Sequence, residues 1–325
     1  MESKTKNKKT REQIARMVER AFDGLTLDAA PESVTELKGG WFNAAYDVRL
    51  SDGRSVILKI APPVGADVLT YEKNIMTTEV ETMRLVAQNP AIPVPHIYSF
   101  DTARDTCDSD YFFMEKVAGD NLEHVYSALA ESVRVEVDHQ IGVIVRAING
   151  FTGATFGYDG NPDLRGTTWR EAFIKIVNSV LGDGQRKSAD LGFPVEAIRS
   201  TVLRHAASLD EVVVPQLVHW DAWNLNLFVR DGRVTGIVDF ERALWGDPLM
   251  EAQFRALAFG GMTETLKAYG KTTFTRDEDV RCHLYTLHLA LVMKVECYYR
   301  NYDTDEVNTL GSQLMAPALQ WLQDH

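Results

Sequence analysis

Three cysteines among 325 residues, Cys107, Cys282 and Cys297, are too few and too scattered for a disulfide framework or a metal knuckle, so a small stapled fold is excluded. Reducing surroundings suit such a chain. Long apolar runs are absent as well: nothing approaches the roughly 18 consecutive apolar residues of a membrane span. The start, MESKTKNKKTREQ, has a basic patch with no apolar segment behind it, which excludes a secretory signal. A cytoplasmic location is expected, with no membrane partner. Positive charge is scarce. The formal net charge is −12, and residues 1–20 hold seven Lys/Arg against three Glu, so the rest of the chain carries −16. That body repels nucleic acid and would favour a cationic small substrate. Repeats and low-complexity segments are missing too.

What is present is a globular composition, 45% hydrophobic and 25% charged, on a chain long enough for two cores. The lysine-rich head over residues 3–9 reads as a frayed terminus, with order beginning near residue 10. REQIARMVERAF then places Ile14, Met17, Val18 and Phe22 at helical spacing. Residues 33–60 alternate apolar and polar positions around a Gly-Gly pair and an Asp52-Gly53 turn, the pattern of consecutive antiparallel strands. A helix is expected over 73–88, and the aromatic run YFFMEKV (111–117) reads as a strand. Beyond Gly119 the texture turns helical over 121–150, 168–182, 195–209, 247–269 and 277–324, interrupted only by strands within 217–239 around Asp231-Gly232. The expectation is an α+β protein: a β-rich N-terminal lobe over 1–115 and a mostly helical C-terminal lobe over 116–325.

Within that interruption, LVHWDAWNLNLFV (217–229) holds His219, Asp221 and Asn226 as H-x-D-x-x-x-x-N, and Asp239 follows thirteen residues later in GIVDFERALWGDP. An Asp and an Asn on one loop, facing an Asp at the end of the next strand, supply converging oxygen ligands and one spare carboxylate. Magnesium on a nucleotide suits such a set, because it takes few protein oxygens and fills its shell from phosphates and water. The spare Asp can orient a hydroxyl or accept its proton.

These two segments resemble the catalytic and metal-binding segments of the aminoglycoside phosphotransferase and choline kinase-like superfamily, relatives of the protein kinases. The resemblance implies a protein-kinase-like two-lobe fold whose N-terminal lobe binds nucleotide. It implies a phosphate loop in LKGGWFNAAYDV, with Gly39, Gly40 and Asn43. Lys59 of SVILKI would orient ATP, Glu79 of TTEVETMRLV would be its partner, with Glu81 in reserve, and the backbone of Glu115 and Val117 in FFMEKVAG would meet the adenine edge. Asp221 would be catalytic, and Asn226 and Asp239 would hold magnesium. The activity implied is transfer of the γ-phosphoryl group of ATP or GTP to a hydroxyl of a small molecule, an aminoglycoside or another amine-bearing acceptor, with antibiotic resistance as one context. The rival reading is a nucleotide-binding sensor or scaffold without turnover. Where relatives commonly carry Gly between the His and the Asp, and His-Pro-Gly before the Asn, this chain has Trp220 and Trp223-Asn224-Leu225. Glu241 adds a carboxylate where protein kinases have Gly.

Overall fold

The computed structural model describes residues 6–38, 42–255 and 263–325, apart from the side chain of Thr263. The chain folds as two compact units, one of Met1–Asp67, Pro95–Val117 and Arg300–Thr304, the other of Val68–Val94, Ala118–Tyr299 and Asp305–His325.

The first unit is built on an antiparallel sheet of five strands: β1 (Val34–Leu37), β2 (Ala44–Arg49), β3 (Ser55–Ile60), β4 (Ile97–Asp101) and β5 (Tyr111–Glu115), in spatial order β1-β2-β3-β5-β4. Alternation makes β2 bury every second residue, whereas the central β3 is buried from Val56 to Ile60. Helix α1 (Arg11–Ala21) begins at a capping box, in which Thr10 and Gln13 satisfy each other's backbone N–H groups. Its Ile14, Met17 and Val18 pack with Tyr46, Val48, Leu58 and Phe113 in one core. Order starts earlier than the charge pattern suggests. Asn7 is buried and donates to Asp108 Oδ1 (2.9 Å) and Ser109 Oγ (2.7 Å), and Lys9 pairs with Asp108 at 2.6 Å. Asn7 and Lys9, expected to fray with the rest of the head, are therefore docked by partners about a hundred positions away.

The second unit holds α2 (Ile75–Val86), β6 (Asp120–Asn121), α3 (Leu122–Val125), α4 (Glu131–Ile148), α5 (Trp169–Arg186) and α6 (Val195–Arg204). Further on come β7 (Gln216–Val218), β8 (Leu227–Arg230), β9 (Arg233–Ile237), β10 (Leu244–Gly246), α7 (Ala252–Arg255), α8 (Thr263–Tyr269), α9 (Arg276–Arg300, whose last residue belongs to the first unit) and α10 (Glu306–Asp324). β7 pairs with β10, and β8 lies between β6 and β9. Asp231 and Gly232, both at positive φ (51° and 74°), make the two-residue turn of the β8–β9 hairpin. The core joins α5 to α9: Trp169, Phe173 and Ile176 meet Tyr285, Val292 and Val295.

Several helical spans are more broken than their periodicity implies. The 277–324 region is two helices, separated where Asn301 turns to φ +52°. The 247–269 region opens with a 3-10 turn, Pro248–Met250, capped by Asp247 Oδ1 accepting from Leu249 N (3.1 Å), before the short α7. Asp247 also ties down Arg281 (2.8 Å) and the Tyr285 hydroxyl (2.7 Å), a structural job. Among the described residues no helix is long and apolar enough to cross a membrane.

Candidate active site

Between β7 and β8 the chain turns through His219–Asn226, and the turn is anchored from beneath by a buried acid. Glu251, 0% exposed, accepts from the backbone N–H groups of His219 (2.8 Å) and Trp220 (3.0 Å) and from Asn149 Nδ2 (2.9 Å). The same Asn149 amide donates to the Leu217 carbonyl at 2.7 Å, so helix α4 reaches the end of β7. Burial lifts the Glu251 carboxyl from 4.5 to about 7, with the three N–H donors pulling it back down.

His219, also fully buried, joins the two motif segments. Its Nδ1 accepts from Asp221 N (3.2 Å), while Nε2 faces the Val238 carbonyl at 3.1 Å. A carbonyl only accepts, so the proton sits on Nε2 and the ring is neutral. Burial holds its pKa below the usual imidazole value, against the pull of Asp221 and Asp239. Asn226 makes the second bridge: its Nδ2 donates to the Asp221 carbonyl (2.7 Å) and its own carbonyl accepts from Val238 N (3.0 Å). Asp221 and Asp239 are thus held by two separate ties. The Asp221 carboxylate makes no hydrogen bond or ion pair among the described residues.

Two residues of this site are left-handed without being glycine. Trp220 stands at φ +69° and Asp239 at φ +72°. Such a conformation costs roughly 1 kcal/mol or more for a residue with a side chain. At Trp220 the surroundings impose it: Glu251 holds its N–H, Arg255 Nη2 donates to its carbonyl, and the indole is buried beneath the Arg255 guanidinium, 4.2 Å away.

After Asp239 the chain winds into a 3-10 turn, Phe240–Arg242, against which α2 packs. That contact brings Glu79 close. Carboxylate oxygens of Glu79, Asp239 and Glu241 lie within 4.8 Å of one another. They are hard oxygen donors, the kind magnesium takes, so the residues present fit that ion. The α2 face also separates the two candidate acids: Glu79 is 0% exposed and Glu81 lies on the exposed side. Glu241, read from the sequence as an extra carboxylate, joins the oxygen cluster.

The remaining candidates belong to the first unit. Lys59 sits on β3, 9% exposed, 5.9 Å from the Phe112 ring, and Asn43 is buried just before β2. Glu115 ends β5 and donates its N–H to the His96 carbonyl (2.8 Å), so that N–H is already engaged. Val117 follows, half-buried. Gly39 and Gly40 lie outside the described residues.

Sequence reasoning missed the cationic surroundings of Asp221. Arg242 and Arg255 both feel its charge. Arg242 pairs with Glu296 at 2.9 Å and stacks on Trp220 at 5.2 Å. Burial pulls the Arg255 guanidinium down to about 10, against Asp221 and Glu251, so it stays charged at neutral pH. Nothing in the local pattern of GDPLMEAQFRALAF marks Glu251 or Arg255 as inward-facing beside Asp221.

A family model described as a phosphotransferase enzyme family matches residues 33–278. Over 131 residues the chain is 26% identical to a subtelomeric hrmA-associated cluster protein of Aspergillus fumigatus. The match takes in 40% of this chain and 25% of that protein, so the chain spans about a quarter of the curated relatives it matches. Among solved structures, a candidate fructosamine-3-kinase from Thermobifida fusca YX-ER1 is 20% identical at a TM-score of 0.67, covering 94% of this chain and 98% of that one. The ternary complex of streptomycin, ATP and APH(2")-IIa is 14% identical at 0.62, covering 98% and 97%. A thermostable mutant of aminoglycoside phosphotransferase APH(4)-Ia, with AMP-PNP and hygromycin B, is 15% identical at 0.63, covering 95% and 97%. The fold expected from the sequence, a kinase-like one with a sheet-based N-terminal part and a helical C-terminal part, is the fold found.

Proposed function

Because the chain belongs to the phosphotransferase enzyme family, we propose that it moves the γ-phosphoryl group of ATP to a hydroxyl of a small molecule, with Asp221 beneath the acceptor. The acceptor oxygen attacks the γ-phosphorus, the bond to the β-phosphate oxygen breaks, and ADP leaves with that electron pair. The hydroxyl proton passes to Asp221, whose carboxylate has no competing partner among the described residues. Asn226 and Asp239 would hold magnesium, which supplies charge neutralisation on the phosphates when bound. The unit carrying the five-stranded sheet is assigned the nucleotide: Gly39, Gly40 and Asn43 at the phosphates, Lys59 on the α and β phosphates with Glu79 as its partner acid, and the backbone of Glu115 and Val117 at the adenine.

The observation that carries this reading is the double tie across the site, His219 to Val238 and Asn226 to both Asp221 and Val238. It ties the Asp221 loop to the strand end that carries Asp239 before any ligand arrives, which supports a reaction run by positioning and charge in which Asp221 would take the proton and Asp239 would hold the metal. The test is coupled ADP release over a panel of alcohols. Asp221→Asn is expected to lower kcat roughly 10²–10⁴-fold with nucleotide binding kept. Asp239→Ala is expected to abolish magnesium-dependent turnover without unfolding the protein. Near-normal ADP release by either variant on a working acceptor would refute the assignment. The acceptor's own charge does not follow from the net −12 of the chain, because two buried arginines, Arg242 and Arg255, feel the Asp221 charge.

A further inference from the structure

Four buried side chains in the cluster of Trp220, Arg242 and Arg255 carry hydrogen-bonding atoms that nothing among the described residues satisfies. They are Arg255 (Nε and Nη1), Trp220 (Nε1), Tyr71 (the hydroxyl) and His288 (both ring nitrogens), and each residue is 1–2% exposed. They gather around one indole. Arg255 lies 4.2 Å over the Trp220 ring and Arg242 5.2 Å from it, the His288 ring is 6.2 Å away, and Arg242 in turn sits 5.8 Å from Tyr71. Nη2 of Arg255 is spent on the Trp220 carbonyl, while Nε and Nη1 have no hydrogen-bond acceptor among the described residues.

Buried polar groups are ordinarily bonded, so several orphans beside one reaction centre call for a ligand that supplies what they lack. What they lack is mainly acceptors, since a neutral His288 ring offers one accepting nitrogen against the several donors of the set. Arg255 and the Trp220 indole can only donate, and the Tyr71 hydroxyl has a hydrogen to give. A protonated amine brings only donors and would leave the N–H groups of Arg255 and Trp220 unmet. Charge narrows the choice. Arg242 already has Glu296 at 2.9 Å, whereas Arg255 forms no ion pair among the described residues. Arg255, with no direct ion pair among those residues, can take one further carboxylate in contact, whereas a phosphate monoester would bring nearly two negative charges close to Asp221.

We propose that the acceptor alcohol is a hydroxy monocarboxylate, its carboxylate held by Arg255 and Trp220 and its hydroxyl turned toward Asp221. This rests on the phosphotransferase reading above, with Asp221 at the acceptor. It reverses the expectation drawn from net charge.

The measurement is calorimetric titration of the full chain with hydroxy monocarboxylates from glycolate to 6-hydroxyhexanoate, plus gluconate, each beside its primary amide. Glycerol 3-phosphate, choline and kanamycin complete the panel. At least one carboxylate is expected to bind about tenfold or more tighter than its amide, the worth of one charge-assisted bond. Trp220→Phe keeps an aromatic ring and removes the N–H, and Arg255→Lys keeps the charge and removes the planar donors. Each is expected to weaken carboxylate binding several-fold while magnesium-ATP binding stays unchanged. If Arg255→Lys does not fold, Trp220→Phe carries the test. The proposal falls if no carboxylate outbinds its amide, or if glycerol 3-phosphate, choline or kanamycin outbinds them all. ADP release with choline and no carboxylate preference would remove this inference and leave the phosphotransferase reading. Carboxylate binding that depends on Arg255 and Trp220, without ADP release from ATP, would do the reverse.

Discussion

Glu251 does the work of a foundation with a group that is ill at ease in its place. Its folded pKa, about 7, lies above the ordinary 4.5, so between those values the folded protein holds a proton that the unfolded chain has lost. Stability on that account falls as pH rises through the window, by about 3 kcal/mol in all, and is fully present only below it. His288 slopes the other way. Burial lowers it to about 3, so acidification from 6.5 downward costs stability, and the two slopes overlap between pH 4.5 and 6.5. Glu251→Gln isolates the first. The variant is expected to lose about 1–3 kcal/mol at pH 5, because its amide N–H confronts one of the backbone donors, and to lack the Glu251 slope. Denaturant unfolding of both proteins at pH 5, 6, 7 and 8 reads this as a gap that narrows with pH. A gap of constant size would show that Glu251 titrates normally. Among residues at this scale, the sequence marks His219, Asp221, Asn226 and Asp239 by type and spacing, while Glu251 and Arg255 look like any acid and base on a helix.

Close approach explains the elements. A Cβ built on Gly142 of α4 would stand 2.2 Å from the Thr265 carbonyl and 2.8 Å from the Ala268 Cβ of α8, so the two helices touch at a point that admits no side chain. Gly142→Ala gains roughly 1 kcal/mol of helix propensity and must still push a backbone carbonyl aside. A net loss of roughly 1–3 kcal/mol is expected, read as a lower denaturation midpoint. A midpoint equal to or above that of the parent would mean α8 yields freely. Helical period was legible along α4, α5 and α9, and the Asp231-Gly232 turn was legible from its residues. The breaks were not. The chain leaves the helix at Asn301 and tightens after Asp247 because of where neighbouring segments must pack.

At the scale of the whole molecule, binding and stability are linked. Magnesium-ATP at a hundredfold its Kd is expected to raise stability by about 2.7 kcal/mol, seen as a higher apparent Tm, and Asp239→Ala is expected to erase the magnesium-dependent part of that rise. An equal rise in the variant would relocate the ion. Charge shows why scale matters here: the sum of −12 describes the field of the whole surface, yet interactions fade over about 10 Å in salt, so beside Asp221 the local charges of Arg242 and Arg255 count for more than the sum. By itself, the sequence determined the order of helices and strands, the two motif segments and the family they belong to, because period, turn chemistry and spacing are written within a few residues of each other. Tertiary structure alone decided that Glu79 and not Glu81 turns inward, that Glu251 carries the 219–221 turn, and that Arg255, with unmet N–H groups, lies where it feels the Asp221 charge. Each of those depends on which distant segments come into contact, and no local pattern records that.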